Sequence, residues 1–409
     1  MSSSDPEGFG APFFDFGALF GQGGGDPWAN AAQLAATIAS EGGTEPNVDP
    51  IVRMQFDDLG RVAELHVAQA TGIELPSNTI VTPVTRTTWT ERSFATFRPF
   101  FERFGEAVGT DQPGQGPGPA SADPFSAMIE QVFKAMGPML VSASAGSMLG
   151  HLGQRALGQY ELPIPRDSRE VLVVPYTIDA TAEEWSVPLN DLRLWVLIHE
   201  LTAHAVLSIP HVRKRVEGLL IDFAAAFRPN PQAITEQFAS FESLTDMSQL
   251  QEMSEQFNDP DKLLSIMRSP AHDLLVPQFD AIVATILGFV SHTVDTISSG
   301  LIATSGDIKE QFRRRWIDAT PADRLMERLL GLEIGAGTFD RGDRFISGII
   351  ERAGDNALIR LWADELDLPT AAEVDAPGLW LARIGIGIDD DLGQISAEVP
   401  DDLSGLDGL

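Results

Sequence analysis

The chain reads as a mainly α-helical protein with one large domain and at most a small β element. Three observations carry that reading. Apolar residues recur at helical spacing through residues 50–70, 88–108, 124–159, 190–208, 211–227, 277–298, 308–332 and 341–353. Prolines and glycines punctuate these stretches, and Pro210, which cannot continue a helix, separates two of them. Only one short run, Glu170-Val171-Leu172-Val173-Val174-Pro175-Tyr176, has the β-branched character of a strand, and it lies just ahead of the helix at 190–208.

The domain is expected to span residues 29–388. Residues 1–28 are Gly-rich with interleaved Phe9, Phe13, Phe14, Phe16 and Phe20, which predicts a disordered tail with sticky aromatics. A flexible Pro/Gly loop at 111–123 separates two helical stretches. Residues 389–409, with Asp389-Asp390-Asp391 and Asp401-Asp402, read as a mobile acidic tail.

Composition narrows the chemistry. The 409 residues are 43% hydrophobic, enough for a substantial core, and contain no cysteine. Disulfides, thiolate metal sites and cysteine nucleophiles are therefore excluded. Net charge is −31, with 59 acidic against 28 basic residues. Such a surface repels phosphate backbones and argues against nucleic acid as a partner. The basic runs Arg213-Lys214-Arg215 and Arg313-Arg314-Arg315 read as solvated helix faces or local partners of carboxylates. No basic leader is visible, since the first basic residue is Arg53. The most apolar long stretch, 136–152, is short and broken by Gly137, Pro138, Gly146 and Gly150, so no membrane span is expected. Its small residues at 142–147 suit close helix packing. A soluble, cytoplasmic protein with a peptide or protein partner is the expectation.

The chemistry-bearing motif is His199-Glu200-Leu201-Thr202-Ala203-His204, on a helix with capping residues Asn190 or Asp191 at its start. It misses the zinc-peptidase signature H-E-x-x-H by one residue. Histidines at i and i+4 differ by about 40° round a helix and can share one ion; here Ala203 holds i+4, and His204 at i+5 lies about 140° from His199. Two readings stay open. In one, His199 and His204 ligate zinc across a local π-bulge and Glu200 activates the bound water. In the other, Glu200 and His204, one turn apart, form a buried structural pair without metal. A third ligand would have to come from His211, His292, Asp295 or Asp222, whereas His66, His151 and His272 have no suggestive context. Gly-x-Ser-x-Gly, P-loop and dinucleotide fingerprints are absent, and Gly335–Asp340 reads as a turn.

These residues also carry a family likeness. The Gly/Phe-rich N-terminus, Trp89-Thr90-Glu91-Arg92, Gly150-His151-Leu152-Gly153-Gln154, Leu194 to Glu200, Ile286 to Val290, Arg313-Arg314-Arg315, Leu329 to Glu333 and Leu361-Trp362 together resemble the actinobacterial zincin-like hydrolases, or zinc-dependent metalloproteases. The resemblance implies a large helical zincin-like domain and a zinc cofactor. It places His199 as first ligand and Glu200 as base, Ala203 where the second ligand would stand, and Leu287 where a glutamate third ligand is expected. Two functions follow. One is a zinc metallopeptidase with a degenerate site, whose turnover the missing ligands argue against. The other is a non-catalytic helical scaffold or binding protein that keeps the fold without the metal. A metal-free hydrolase using Glu200 and His204 as a dyad is more distant, because no nucleophile is identifiable beside them.

Overall fold

A computed structural model of the chain describes residues 26–109, 124–227, 269–317, 321–332 and 334–386. Proline sets where many of the helices begin. Helices α1 (Pro27–Ala39) and α2 (Pro50–Thr71) each follow an aspartate that caps the first turn. Asp26 accepts from the Trp28 N–H at 3.1 Å and Asp49 from the Ile51 N–H at 2.7 Å. Proline suits the first helical position because its missing N–H would have no intrahelical partner there. Two four-residue strands, β1 (Ile80–Pro83) and β2 (Glu170–Val173), flank α3 (Arg86–Gly109) and α4 (Pro124–Arg155). Then come α5 (Pro175–Glu184), α6 (Leu189–Leu207), α7 (Pro210–Ala226), α8 (Pro270–Leu301), α9 (Ser305–Ile317), α10 (Pro321–Leu329) and α11 (Ala336–Ala353). Short 3₁₀ turns lead to α12 (Ala371–Asp375) and α13 (Pro377–Arg383).

The expected mainly-α architecture holds, with local differences that have physical causes. Helix α1 begins at Pro27, inside the segment expected to be tail, and half-buried Trp28 lies against Phe94. The expected strand 170–176 ends at Val173, because Pro175 cannot serve a strand ladder but can open α5. The stretch 308–332 is two helices rather than one. Helix α8 starts seven residues before Pro277, at Pro270, behind a cap made by Ser269 and His272. Gly335 is not part of a turn but caps α11. The loop 111–123 and the acidic tail 389–409 lie outside the described residues, as do residues 1–25.

Helix α8 is the spine of the core. Residues 281–290 are buried without a break, and it packs against α2, α6, α7, α9 and α11. It is long and apolar enough to cross a membrane, unlike the 136–152 stretch, yet 61% of its apolar window is buried within the fold, as in a core helix. Its contact with α11 is backbone to backbone: a Cβ on Gly342 would overlap the Ala284 carbonyl, and one on Gly288 would overlap Gly342. The small-residue run of α4 does the same against α1, where a Cβ on Gly146 would overlap the Ala31 carbonyl. Strands β1 and β2 pair in parallel, Ile80 opposite Glu170 through Pro83 opposite Val173. They bring the start of α3 and the segment before β2 over helix α6.

Gly342→Ala should therefore destabilise the protein by about 2–3 kcal/mol, because the overlapping atoms are backbone. Gly337→Ala, in the first turn of the same helix with open space around it, should be neutral or mildly stabilising. Denaturant titration of both variants measures the contrast.

Candidate functional site

Helix α6 is buried over nearly its whole circumference. Its N-terminal end is fixed by Arg193, which is buried, makes a two-pronged pair with Asp179 (2.8 Å to each oxygen), and donates to Gln55 Oε1 at 2.7 Å. Above it runs a non-helical segment, residues 156–166, between α4 and β2. Every residue of this segment is buried. Buried irregular backbone must find partners, and side chains supply them. Trp89 Nε1–H donates to the Gly158 carbonyl (2.7 Å), Glu161 accepts from Leu157 N–H (2.6 Å), and Gln159 Oε1 accepts from Leu172 N–H (3.3 Å).

Glu200 belongs to this system. Its Oε2 accepts from the Tyr160 N–H at 2.7 Å, and its Oε1 lies 3.2 Å from His199 Nδ1, which donates to it. A Cβ on Gly158 would overlap the Glu200 carboxyl group, so the segment can pass this close only as glycine. Arg166, buried above the same helix, donates to Ser93 Oγ (3.2 Å) and the Gln159 carbonyl (3.3 Å), with Phe97 against its guanidinium. Burial pulls its pKa down to about 10, and the nearby Tyr160 and Glu200 work against that pull.

His204 sits in a different environment. It is fully buried, and its Nδ1 accepts from the Tyr160 hydroxyl at 2.7 Å, with Ser208 Oγ at 3.4 Å. Its Nε2 is buried without a partner. Burial, aided by the Arg213 charge, lowers its pKa to about 4, so it is neutral at pH 7. Burial also raises the Tyr160 hydroxyl well above its ordinary value, which keeps it a donor. Glu200 bonds to Tyr160 and His199, so its hydrogen bonds do not run to His204.

His199 faces a cleft of about 50 Å³ between α6, α8, α9 and α11. Its ring stacks on Trp195 (centroids 5.7 Å apart, 12° between planes) and lies 5.0 Å from Phe312. Ala203 and Leu287 line the same cleft. The three positions that the family likeness assigns to metal ligands thus converge, and they are occupied by one imidazole, one methyl and one isobutyl group. Neither Glu200 nor His204 lines this cleft. Helix α6 is α-helical throughout, with no π-turn to swing His204 toward His199.

The other candidate ligands are engaged or distant. Asp295 is in the cleft but paired with Lys309, and His292 Nε2 lies 3.3 Å from Asp355. Asp222 is exposed, and His211, in the first turn of α7, does not line the cleft. Among the described residues no three His, Asp or Glu side chains form a group able to hold a metal ion. Zinc therefore does not fit these residues: a catalytic zinc takes three protein ligands, whereas the cleft holds one imidazole, His199, and two carboxylates, Asp295 and Asp343, that are paired with Lys309 and Arg313 and not gathered round it. Tyr160, which links Glu200 to His204, was missed by the sequence reading. Its one signal was its place as one of only two tyrosines in the chain, between Gln159 and Glu161.

The fold and this helix define a class. The chain belongs to the zincin-like metallopeptidase family, whose sequence profile matches residues 27–381. It is similar in structure to a protein from Chloroflexus aurantiacus described as a candidate hydrolase with a novel fold. The TM-score is 0.61 at 21% identity, covering 88% of this chain and 98% of that one. No functionally curated protein matches the chain.

Two outcomes follow from this geometry. Glu200→Gln should cost about 1–3 kcal/mol of stability, because one buried N–H partner or the His199 bond is compromised; thermal unfolding of the variant tests this. His204 is depressed from its ordinary value to about 4, so the unfolded chain binds its proton first. Its contribution is then complete above about pH 6.5 and lost as pH falls toward 4, by up to about 3 kcal/mol. Urea titrations at pH 7 and pH 4.5 on wild type and His204→Gln should show a larger loss of stability in wild type than in the variant, by about 2–3 kcal/mol.

Proposed function

We propose that this chain is a non-catalytic member of the zincin-like metallopeptidase family, one that keeps the cleft without a resident zinc and uses it to bind a peptide or protein. The observation that carries the proposal is the convergence of His199, Ala203 and Leu287 on one cleft. A structural zinc site is worth about 10–16 kcal/mol in total. Removing two of three ligands leaves a single imidazole, which does not retain the ion at cellular concentrations. Glu200 is committed to the Tyr160 backbone and to His199, which supports a structural rather than a water-activating role. The cleft walls support an apolar guest: Trp195, Phe312, Trp316, Ile286 and Leu287 surround a space large enough for one aliphatic side chain. Paired charges at Asp295–Lys309 and Arg313–Asp343 stand at its edge and suit a polar backbone entering beside that side chain.

Metal analysis tests the reading. Protein produced in zinc-supplemented medium should carry well under one equivalent of zinc, whereas Ala203→His/Leu287→Glu should carry about one, because it restores three converging ligands. Stoichiometric zinc in the wild-type protein, or chelator-sensitive peptidase activity lost on Glu200→Gln, would establish the alternative reading, a zinc-dependent hydrolase.

A further inference from the structure

Helix α2 buries one side and leaves the other open in an orderly way. Phe56, Gly60, Ala63 and Val67 face the core. On the opposite side, at about 100° per residue, stand Ile51 (65% exposed), Met54 (65%), Val62 (41%) and Leu65 (56%). Asp58, Arg61 and Ala68 lie on the same exposed side. Isolated exposed apolar residues need no explanation. Here Ile51, Met54, Asp58, Arg61, Leu65 and Ala68 fall at alternating spacings of three and four, the pattern of a helix-pairing seam.

That seam is complementary to itself when reversed. In an antiparallel pair of α2 helices the facing layers are Ile51 with Ala68, Met54 with Leu65, and Asp58 with Arg61, each occurring twice about a two-fold axis. Both charged residues are exposed and already form an ion pair within the helix. In the pair they would form a four-charge cluster in which each aspartate meets two arginines. A parallel pair would instead oppose Asp58 to Asp58 and Arg61 to Arg61. We infer that α2 is a self-association surface and that its occupant is α2 of a second copy, packed antiparallel. Val62 would meet Gln55 on one flank, and Asp57 would meet Glu64 on the other. That acidic flank, with the net charge of −31 on each chain, opposes association at low salt.

Sedimentation equilibrium of the full chain tests this. With a seam about 26 Å long from Ile51 to Ala68, the expected dimer has a dissociation constant of about 10–100 µM and tightens as salt is raised. Met54→Glu/Leu65→Glu should weaken it at least about tenfold with an unchanged circular dichroism spectrum. Asp58→Arg and Arg61→Asp should each be monomeric alone and associate when mixed. Because the chain has no cysteine, crosslinking gives the orientation: Met54→Cys and Leu65→Cys should form a disulfide when mixed, and neither should do so alone. A wild-type chain that stays monomeric to about 0.5 mM, including one whose stripe is covered by its own N-terminal segment, would overturn the inference. So would a crosslink in Met54→Cys alone.

Discussion

The site depends on one constraint: an irregular segment, residues 156–166, is buried directly over the motif helix. Coil in the interior has no regular ladder or helix to absorb its N–H and C=O groups, so those that backbone partners such as Val174 N–H on the Leu157 carbonyl do not meet must be met by side chains. Trp89, Gln159, Glu161 and Glu200 do this. Glu200 is the most consequential of them, because it is also the residue that a zinc peptidase would use as its base. A carboxylate that accepts a backbone N–H on one oxygen and an imidazole N–H on the other has its position fixed. It does not line the cleft that His199 faces.

The same segment also fixes where His204 finds its partner. The Tyr160 backbone binds Glu200 and the Tyr160 hydroxyl binds His204, so one residue separates two groups that sequence spacing had suggested as partners. At i+4 the helix brings Glu200 and His204 to the same face, but adjacency on a face is permission for a contact and not a cause of one. Tertiary partners with better geometry won. His199 is turned by its Nδ1 bond to Glu200 so that its ring stacks on Trp195 beside the cleft. This carboxylate–imidazole arrangement orients a histidine for metal or proton work in other proteins. Here it holds the ring without the companions such work requires.

Much of the helical scaffold was legible because proline marks the start of helix after helix and cannot occupy most interior positions without cost. Pro50, Pro124 and Pro210 gave boundaries within a residue or two. Pro277 misled, since α8 runs through it at an exposed position, sustained by burial further along. The pairing of β1 with β2 was not legible, because four residues at 80–83 carry little pattern and their partner is about ninety residues away in sequence. Of the site, the angular mismatch of His199 and His204 was legible from helix geometry alone. The presence of Leu287 beside Ala203 came from family likeness, since nothing in local periodicity brings α8 to α6. The buried coil was invisible, because burial without periodicity looks in a sequence like an ordinary loop.

The cleft beside α6 is stable as a protein-only arrangement. A metal site holds polar side chains in the interior only while the ion compensates for their desolvation. At Ala203 and Leu287 apolar groups stand instead, so the cleft needs no ion to be stable. The polar residues that remain on α6 each found a protein partner: Glu200 on the segment above, His204 on Tyr160, Arg193 on Asp179. Reinstating one ligand at Ala203 would bury a second imidazole facing Leu287, adding desolvation without completing a coordination sphere.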